Sequence, residues 1–392
     1  MELYFDHNST SPITESIPGV IRPYVTNEFG NPSSRTCELG EKAREALDVG
    51  RSELARLLSA KPEEIVFTSG GTESCFAAIV GAMRALKNKR HIIISAVEHP
   101  AVTEAAAFAR ELLGAEVSIV PVDRNGELDL DKLFDSIRVN TGLMSFMLAN
   151  NETGVLFPLQ EVVSMAHARG ILVHTDAVQT IGKIPVHFQE LGVDLLSLSA
   201  HKFGGLKGSG ALLIREGTQW EPVVKGGGQE RGRRGGTESV PLIAAMGEAA
   251  RYRRVALDEG SFQKIKATRD FFESTVKERI PAVHVNGERA QRLPNTSSLR
   301  FEGVVAHDII PVLAKRGIIV SAGSACKATS VEPSHVLKAM GLSTVECLST
   351  IRFSFGLDTS REALFHAVDI LAETMAYFRA HAFEQIQSNY RG

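Results

Sequence analysis

The sequence has few cysteines and no large excess of charge of either sign. Its four cysteines, Cys37, Cys75, Cys326 and Cys347, lie far apart and form no Cys-x-x-Cys pair. This spacing argues against a zinc knuckle, a thioredoxin-type site and a disulfide framework, so we expect no metal and a reducing compartment. The chain carries 43 basic and 46 acidic residues, a balance that gives no global attraction to nucleic acid or an anionic membrane.

Long apolar runs are also missing. No stretch of about 18 apolar residues that could span a membrane is present. The start, MELYFDHNST, is acidic where a secretory signal needs a basic start and an apolar run. We therefore expect a cytoplasmic protein. Its 392 residues, 43% of them hydrophobic, exclude disorder for the bulk of the chain and suggest two or three domains.

Short apolar runs alternate with amphipathic segments of helical length between residues 50 and 215, a pattern typical of an α/β domain with a largely parallel sheet. A stretch with six glycines and three arginines, 225–238, then interrupts the pattern, and we expect no regular element there. A helical region, 239–279, leads to a smaller C-terminal α+β part. The predicted strands of the sheet are 63–69, 91–95, 116–122, 143–149, 171–175, 194–199 and 210–214.

Three motifs follow predicted strands in this first part of the chain. TSGGTES (68–74) opens a helix, and the amides of a helix N-terminus can bind phosphate; alternatively it is a glycine-rich turn capped by Thr72. Asp176, in HTDAVQ, lies where ligands usually bind in α/β sheets, or it caps a following helix. Lys202, in SLSAHKFGG, is either a surface lysine or a desolvated amine suited to Schiff-base chemistry.

Together, the three motifs indicate pyridoxal 5'-phosphate (PLP). The phosphate requires a helix N-terminus, the pyridine nitrogen a carboxylate, and the aldehyde an amine. We assign these roles to Gly71 and Thr72, to Asp176 and to Lys202, respectively.

The chain resembles the fold-type I PLP enzymes of the class V aminotransferase group, and within it the NifS/IscS-type cysteine desulfurases. The resemblance implies an α/β large domain with a mostly parallel seven-stranded sheet (15–258) and a smaller α+β domain (1–14 and 259–392) that carries the catalytic cysteine. The motifs that carry the resemblance are FDHNSTSP (5–12), FGNPSS (29–34), VFTSGGTES (66–74), EHPAV (98–102), NNETG (150–154), HTDAVQ (174–179), SAHK (199–202), GGGQERGRRGGT (226–237), LPN (293–295), SAGSACKATSVEPSHVL (321–337) and IRFSFG (351–356).

The resemblance also implies roles for individual residues. His99 stacks on the ring and acts as an acid or base, and Lys202 bonds to the cofactor. Arg352 clamps the substrate carboxylate, although a buried arginine in an apolar strand can equally pair with an internal acid. The remaining roles are Asn151 and Gln179 at the ring hydroxyl, Asp176 at the ring nitrogen, Ser199 and His201 at the phosphate, Thr237 at the phosphate of the neighbouring subunit of a homodimer, and Asn31 in substrate binding.

Cys326 lies in a small-residue loop that offers little packing, and Lys327 beside it favours the thiolate. The resemblance makes Cys326 the nucleophile that takes sulfur from L-cysteine as a persulfide and leaves L-alanine. Its loop length matches the NifS/IscS group rather than the SufS-like group. The sulfur would pass to an unidentified acceptor, in iron–sulfur cluster assembly or thiolation. The arginines at 231, 233 and 234 are read as a solvated or interface loop, so direct nucleic-acid binding is not expected.

Four features depart from the family pattern and indicate a divergent branch. Cys37 and Leu348 stand where the family usually has histidine, and Leu206 stands where it has proline. The family also usually has polar residues near Cys75 and Phe76. Other activities therefore stay open: a selenocysteine lyase, a cysteine/cystine lyase or another class V aminotransferase-like PLP enzyme. A catalytically idle partner-binding subunit is the remaining alternative.

Overall fold

A seven-stranded sheet forms the centre of the computed structural model, which describes residues 2–322 and 332–389. Its strands fall on the seven predicted apolar runs, in the order β2-β8-β7-β6-β5-β3-β4. Six of the seven strands run in one direction and only β8 runs opposite to them, so the predicted mostly parallel α/β fold is confirmed. The strands are β2 (Ile65–Thr68), β3 (His91–Ser95), β4 (Glu116–Val120), β5 (Thr141–Met147), β6 (Leu172–Asp176), β7 (Leu195–Ser199) and β8 (Gly210–Ile214).

Helices cover both faces of this sheet because each has an apolar side. Helix α2 buries Leu47, Leu54 and Leu58 at helical spacing and packs closely on α8, where the backbones meet at Gly50 and Gly247. No helix of the described residues is long and apolar enough to cross a membrane. The helices from the N-terminus to residue 258 are α1 (Ile17–Thr26), α2 (Glu38–Leu58), α3 (Gly71–Ala85), α4 (Pro100–Leu113), α5 (Leu130–Asp135), α6 (Leu159–His167), α7 (Phe188–Leu191) and α8 (Val240–Asp258).

The C-terminal part has its own apolar core, which Leu3 and Phe5 of the N-terminal segment join. Strand β1 (Leu3–Tyr4) pairs with β11 (Ile318–Ile319). The antiparallel sheet consists of β9 (Val283–Val285), β10 (Thr296–Phe301) and β12 (Thr350–Ser354). The helices are α9 (Ser261–Arg279), α10 (Ala306–Lys315), α11 (His335–Ala339), α12 (Thr344–Leu348) and α13 (Arg361–Asn389). The domain limits at residues 14/15 and 258/259 stay a prediction.

The glycine- and arginine-rich stretch contains a short 3-10 helix, Gln229–Gly232, where we expected no regular element. Glu230 has a left-handed φ of 47°, and its buried carboxylate explains why this conformation is held. It accepts bonds from Arg51 at 2.6 and 3.0 Å and from the Phe67 amide at 3.0 Å. Arg234 pairs with Glu73 at the start of α3. The loop is therefore fixed to α2 and α3 by ion pairs and to β2 by the bond from the Phe67 amide.

We expect Glu230→Gln to lower the free energy of unfolding by about 3–5 kcal/mol, because it leaves Arg51 buried without its counter-charge. Chemical denaturation measures this loss. The matched control is Glu216→Gln, which breaks the exposed pair with Lys61 and should leave stability unchanged. Equal stability of the two variants would contradict the structural role of the buried pair.

Candidate active site

A cavity of about 150 Å³ lies at the carboxyl ends of the parallel strands, where ligands bind in open α/β sheets. Nine predicted site residues line it together with Ala101, Met147, Ala149 and Val178. The nine are Gly71, Thr72, His99, Asn151, Asp176, Gln179, Ser199, His201 and Lys202. Their positions thus converge on one cavity, while their individual roles stay predictions.

The cavity wall at α3 has the form of an anion cradle. Strand β2 ends at Thr68, and Gly70 takes a φ of 153° that lets the chain enter the helix at once. A Cβ at Gly71 would lie only 2.8 Å from Val178 Cγ2, so the close approach of these two residues requires glycine. The first amides of α3 are thus open to a ligand, which favours a phosphate there.

Asp176 ends β6 and is a buried carboxyl group. Its Oδ1 accepts a hydrogen bond from the Val178 amide at 2.9 Å, but no helix begins directly after it, so the helix-cap alternative is wrong. Burial raises the pKa of Asp176, and His99 and the Val178 bond oppose this. Among the described residues no cation lies within ion-pair distance of Asp176. A protonated ring nitrogen would supply the missing charge.

Lys202 is no surface lysine. Burial, followed by the nearby charge of Arg352, lowers its pKa to about 8. Its Nζ donates to the backbone carbonyls of Asn8 at 2.6 Å and Ser9 at 2.8 Å. The lowered pKa increases the neutral fraction of the amine, which is the form that attacks an aldehyde.

His99 caps the N-terminus of α4. Its Nδ1 accepts a bond from the Ala101 amide at 3.1 Å, so the proton of the neutral ring is on Nε2. Burial lowers the pKa of His99, which keeps the ring neutral. The ring can therefore offer an apolar face and an N–H group to the cavity.

Arg352, on β12, has an internal acid as a partner and also lies next to the cavity wall. Its Nη2 donates to Asp6 Oδ1 and to Ser9 Oγ, both at 2.8 Å, so an internal acid is present. Its Nη1 donates to the carbonyl of Asn151, a residue of the cavity wall, at 2.9 Å. The guanidinium thus lies beside the cavity, and the role of substrate clamp stays a prediction.

Two other predicted residues, Thr237 and Asn31, do not line this cavity. Thr237 lines a second cavity of about 90 Å³ together with Thr68 and Ser69. Asn31 is exposed, and its Oδ1 accepts from the Ser33 amide at 2.8 Å. Cys326 lies outside the described residues.

Sequence reasoning assigned no role to Glu98, although the EHP motif contains it. Glu98 is buried beside the ends of β3 and β5, where its Oε1 accepts from Ser95 Oγ at 2.5 Å and from the Met147 amide at 3.1 Å. Burial raises its pKa from 4.5 to about 8. At neutral pH Glu98 is therefore mostly protonated and adds little negative charge beside the cavity.

Glu98→Gln should remove a pH-dependent loss of stability. Between about pH 5 and 8 the unfolded chain has lost the proton of Glu98 but the folded chain keeps it. Stability therefore falls as pH rises through this range and levels off above it. We expect the variant to gain stability relative to the native chain as pH rises toward 8, as measured by chemical denaturation at several pH values. A pH-independent difference would contradict the raised pKa.

The N-terminal segment was also missed as part of the site. The carbonyls of Asn8 and Ser9 bind Lys202, and Asp6 binds Arg352. The only sequence signal was the motif FDHNSTSP, which carried the resemblance without a role for these residues.

Comparisons with known proteins agree on one family. The model of the family "Aminotransferase class-V" matches residues 3–365. A cysteine desulfurase IscS of Dictyoglomus turgidum is 44% identical over 379 residues, which cover 96% of this chain and 95% of that protein. The solved structure of a NifS-like protein has a TM-score of 0.89 at 33% identity and covers 96% of this chain and 100% of its own. A structure described as SspA in complex with cysteine has a TM-score of 0.78 at 34% identity, covering 91% and 99%.

Proposed function

The chain belongs to the class V aminotransferase family, and we propose that it is a PLP-dependent cysteine desulfurase that converts L-cysteine to L-alanine. The family resemblance predicted from the motifs is confirmed by the match over residues 3–365. The activity is that of the curated relatives, which are 40–44% identical over 96% of the chain. The observation that carries the proposal is the placement of Lys202 and Asp176 in one buried cavity beside a helix N-terminus.

The residues of the cavity fit PLP. The amides at Gly71 and Thr72, with Ser199 and His201, would hold the phosphate. Asp176 would pair with the ring nitrogen, and Lys202 would bond to the aldehyde. The other proposed contacts are His99 on the ring face and Asn151 and Gln179 at the ring hydroxyl. When bound, PLP supplies an electron sink for the charge that remains when a substrate carbon loses its proton.

Two side chains are suited to move protons. The Lys202 amine, with its pKa near 8, is proposed to accept the proton of the substrate α-carbon. His99 presents Nε2–H, because Nδ1 is held by the Ala101 amide, and is proposed as a second acid or base. Asp176, held by the Val178 amide, would stabilise the positive charge of the protonated ring nitrogen.

Arg352 is proposed to receive the substrate carboxylate, for which a guanidinium can form two parallel bonds. When no substrate is bound, Asp6 compensates the buried charge of Arg352, because an unpaired buried arginine is costly. Asn31 is proposed as a further substrate contact.

Sulfur transfer is proposed to occur at Cys326. The thiolate attacks the substrate sulfur, the carbon–sulfur bond breaks as the sulfur–sulfur bond forms, and the electron pair left on the substrate carbon takes up a proton to give alanine. L-cysteine and one thiol thus become L-alanine and one persulfide. The acceptor of this sulfur, in iron–sulfur cluster assembly or thiolation, is not identified by these residues.

We further propose that the enzyme is a cytoplasmic homodimer. Thr237 lines a cavity separate from that of Lys202, which is consistent with a contact to the phosphate of the neighbouring subunit. A reducing compartment suits an enzyme whose nucleophile is a free thiol.

The function is tested by incubating the PLP-loaded protein with L-cysteine and measuring alanine with and without a keto acid. We expect alanine without a keto acid, because a desulfurase needs no amino acceptor. Alanine formed only from added pyruvate would indicate an aminotransferase instead. A protein that stays colourless after PLP addition would indicate an idle homologue.

A further inference from the structure

Lys183 is a buried lysine that the proposed reaction does not use. It follows Gln179 by four residues, and its Nζ donates to Asn8 Oδ1 and to Gln179 Oε1, each at 2.9 Å. No carboxylate of the described residues lies within ion-pair distance of it. Burial, and then the charge of Lys202, lowers its pKa far below the usual range. An apolar residue would fill this space without the cost of burying an amine, so the hydrogen-bond donor itself needs an explanation.

The two bonds of Lys183 fix the orientation of two side-chain amides. Because both amide oxygens face Lys183, the nitrogens must point away from it. Gln179 Nε2 accordingly donates to the backbone carbonyl of Asn8 at 3.0 Å, and Asn8 Nδ2 donates to Thr296 Oγ1 at 2.9 Å. Lys183 therefore holds Asn8 from two directions, through its side chain and through its carbonyl.

The carbonyl of Asn8 that Gln179 holds also binds the catalytic amine. Lys202 Nζ donates to it at 2.6 Å and to the carbonyl of Ser9 at 2.8 Å. Ser9 is held in turn by Arg352, through its Oγ at 2.8 Å. A chain of bonds thus links Lys183 to one of the two acceptors of the Lys202 amine, the carbonyl of Asn8. Asn8 is also held by Asn295 Nδ2, which donates to its Oδ1 at 3.1 Å, and by Ser354 Oγ, which accepts from its amide at 2.9 Å.

We propose that Lys183 is a positioning residue for Lys202: through Asn8 and Gln179 it holds the Asn8 carbonyl, one of the two carbonyls that receive the Lys202 amine whenever this amine is not bonded to the cofactor. The inference rests on the proposed function, in which the substrate amine must displace Lys202 and Lys202 must return in every turnover. A fixed position on the two carbonyls should speed the return of the Lys202 amine to the cofactor, because the amine stays close to the aldehyde in a fixed orientation.

The test uses the full-length apoprotein and follows its combination with PLP by visible absorbance across the pH range around 8. Carbonyl acceptors stabilise the charged form of the amine. Displacement of the Asn8 carbonyl in Lys183→Met should therefore weaken the proton affinity of Lys202 about tenfold and lower the pH midpoint of the reaction with PLP accordingly. The rate at saturating pH should fall as well, because the amine is no longer held. The charged or titratable groups around Lys202 are Asp6, His99, Asp176, Lys183, His201 and Arg352.

The direction of the shift separates positioning from charge. A raised midpoint would mean that Lys183 acts as a cation, and an unchanged profile would mean that it has no influence; either overturns the proposal.

Asn8→Ala should reproduce the lowered midpoint, and Asn8→Ala/Lys183→Met should add nothing further, because both act through one chain of bonds. Additive shifts would contradict this. The exposed Lys207→Met is the control. If the native apoprotein itself failed to combine with PLP, the proposed function would fail, not this inference.

Discussion

Lys202→Ala abolishes the visible absorbance that the native protein shows with PLP and lowers alanine formation from L-cysteine by at least about 10⁴-fold. The amine is both the group that bonds to the cofactor aldehyde and the proposed base, and loss of a general base alone costs up to about this factor. Lys202 has a pKa near 8 and, unlike the buried Lys183, lines the cavity, so it is the lysine of the described residues that is suited to both tasks. Borohydride reduction followed by peptide mass analysis should find the cofactor on Lys202 in the native chain and on no peptide of the variant.

Lys207→Ala is the matched control, since Lys207 is five residues further on and exposed. It should keep the absorbance, the reduced adduct on Lys202 and the activity. An adduct that persists in Lys202→Ala, or one that is lost in Lys207→Ala, would contradict the assignment.

Asp176→Asn should lower kcat/KM for L-cysteine by about 10²- to 10³-fold, the usual cost of losing one preorganised electrostatic partner. Asparagine keeps the shape and can still accept the bond from the Val178 amide, but it cannot balance a positive charge in a buried cavity. The cofactor spectrum should therefore titrate at lower pH in the variant, because the ring nitrogen is protonated less easily.

Asp194→Asn provides the control for this variant. Asp194 is also a buried aspartate at a strand end, but its Oδ2 binds His167 at 3.0 Å and the Val173 amide at 2.7 Å, away from the cavity. Its replacement should reduce stability and leave the pH dependence of the cofactor spectrum unchanged. A native spectrum in Asp176→Asn would mean that Asp176 does not pair with the ring.

The sheet and the cavity could be predicted because local patterns specify them. Apolar runs of strand length, such as 91–95, form β3 without further information, and the parallel order places Asp176 and Ser199 at the same edge. The glycines at 70 and 71 mark the turn into α3 for steric reasons that the sequence already contains.

The groups that surround Lys202 could not be predicted in the same way. Asn8 and Lys183 are 175 residues apart, and their contact depends on how the N-terminal segment packs against the residues that follow β6. The contribution of Asn8 to Lys202 is a backbone carbonyl, which any residue type has. Glu98 follows β3 in a predicted motif, but its raised pKa arises from burial, which appears only once α4 and β5 are packed around it.

The most direct test of the proposed activity is the mass of the peptide that contains Cys326 after the PLP-loaded protein reacts with L-cysteine. We predict that this peptide gains the mass of one sulfur atom, that a thiol-reducing agent removes the gain, and that alanine appears in equal amount in a single turnover. Cys326→Ser should show no added sulfur and no burst of alanine. Alanine release at the native rate from Cys326→Ser, or added sulfur on another cysteine only, would contradict sulfur transfer to Cys326.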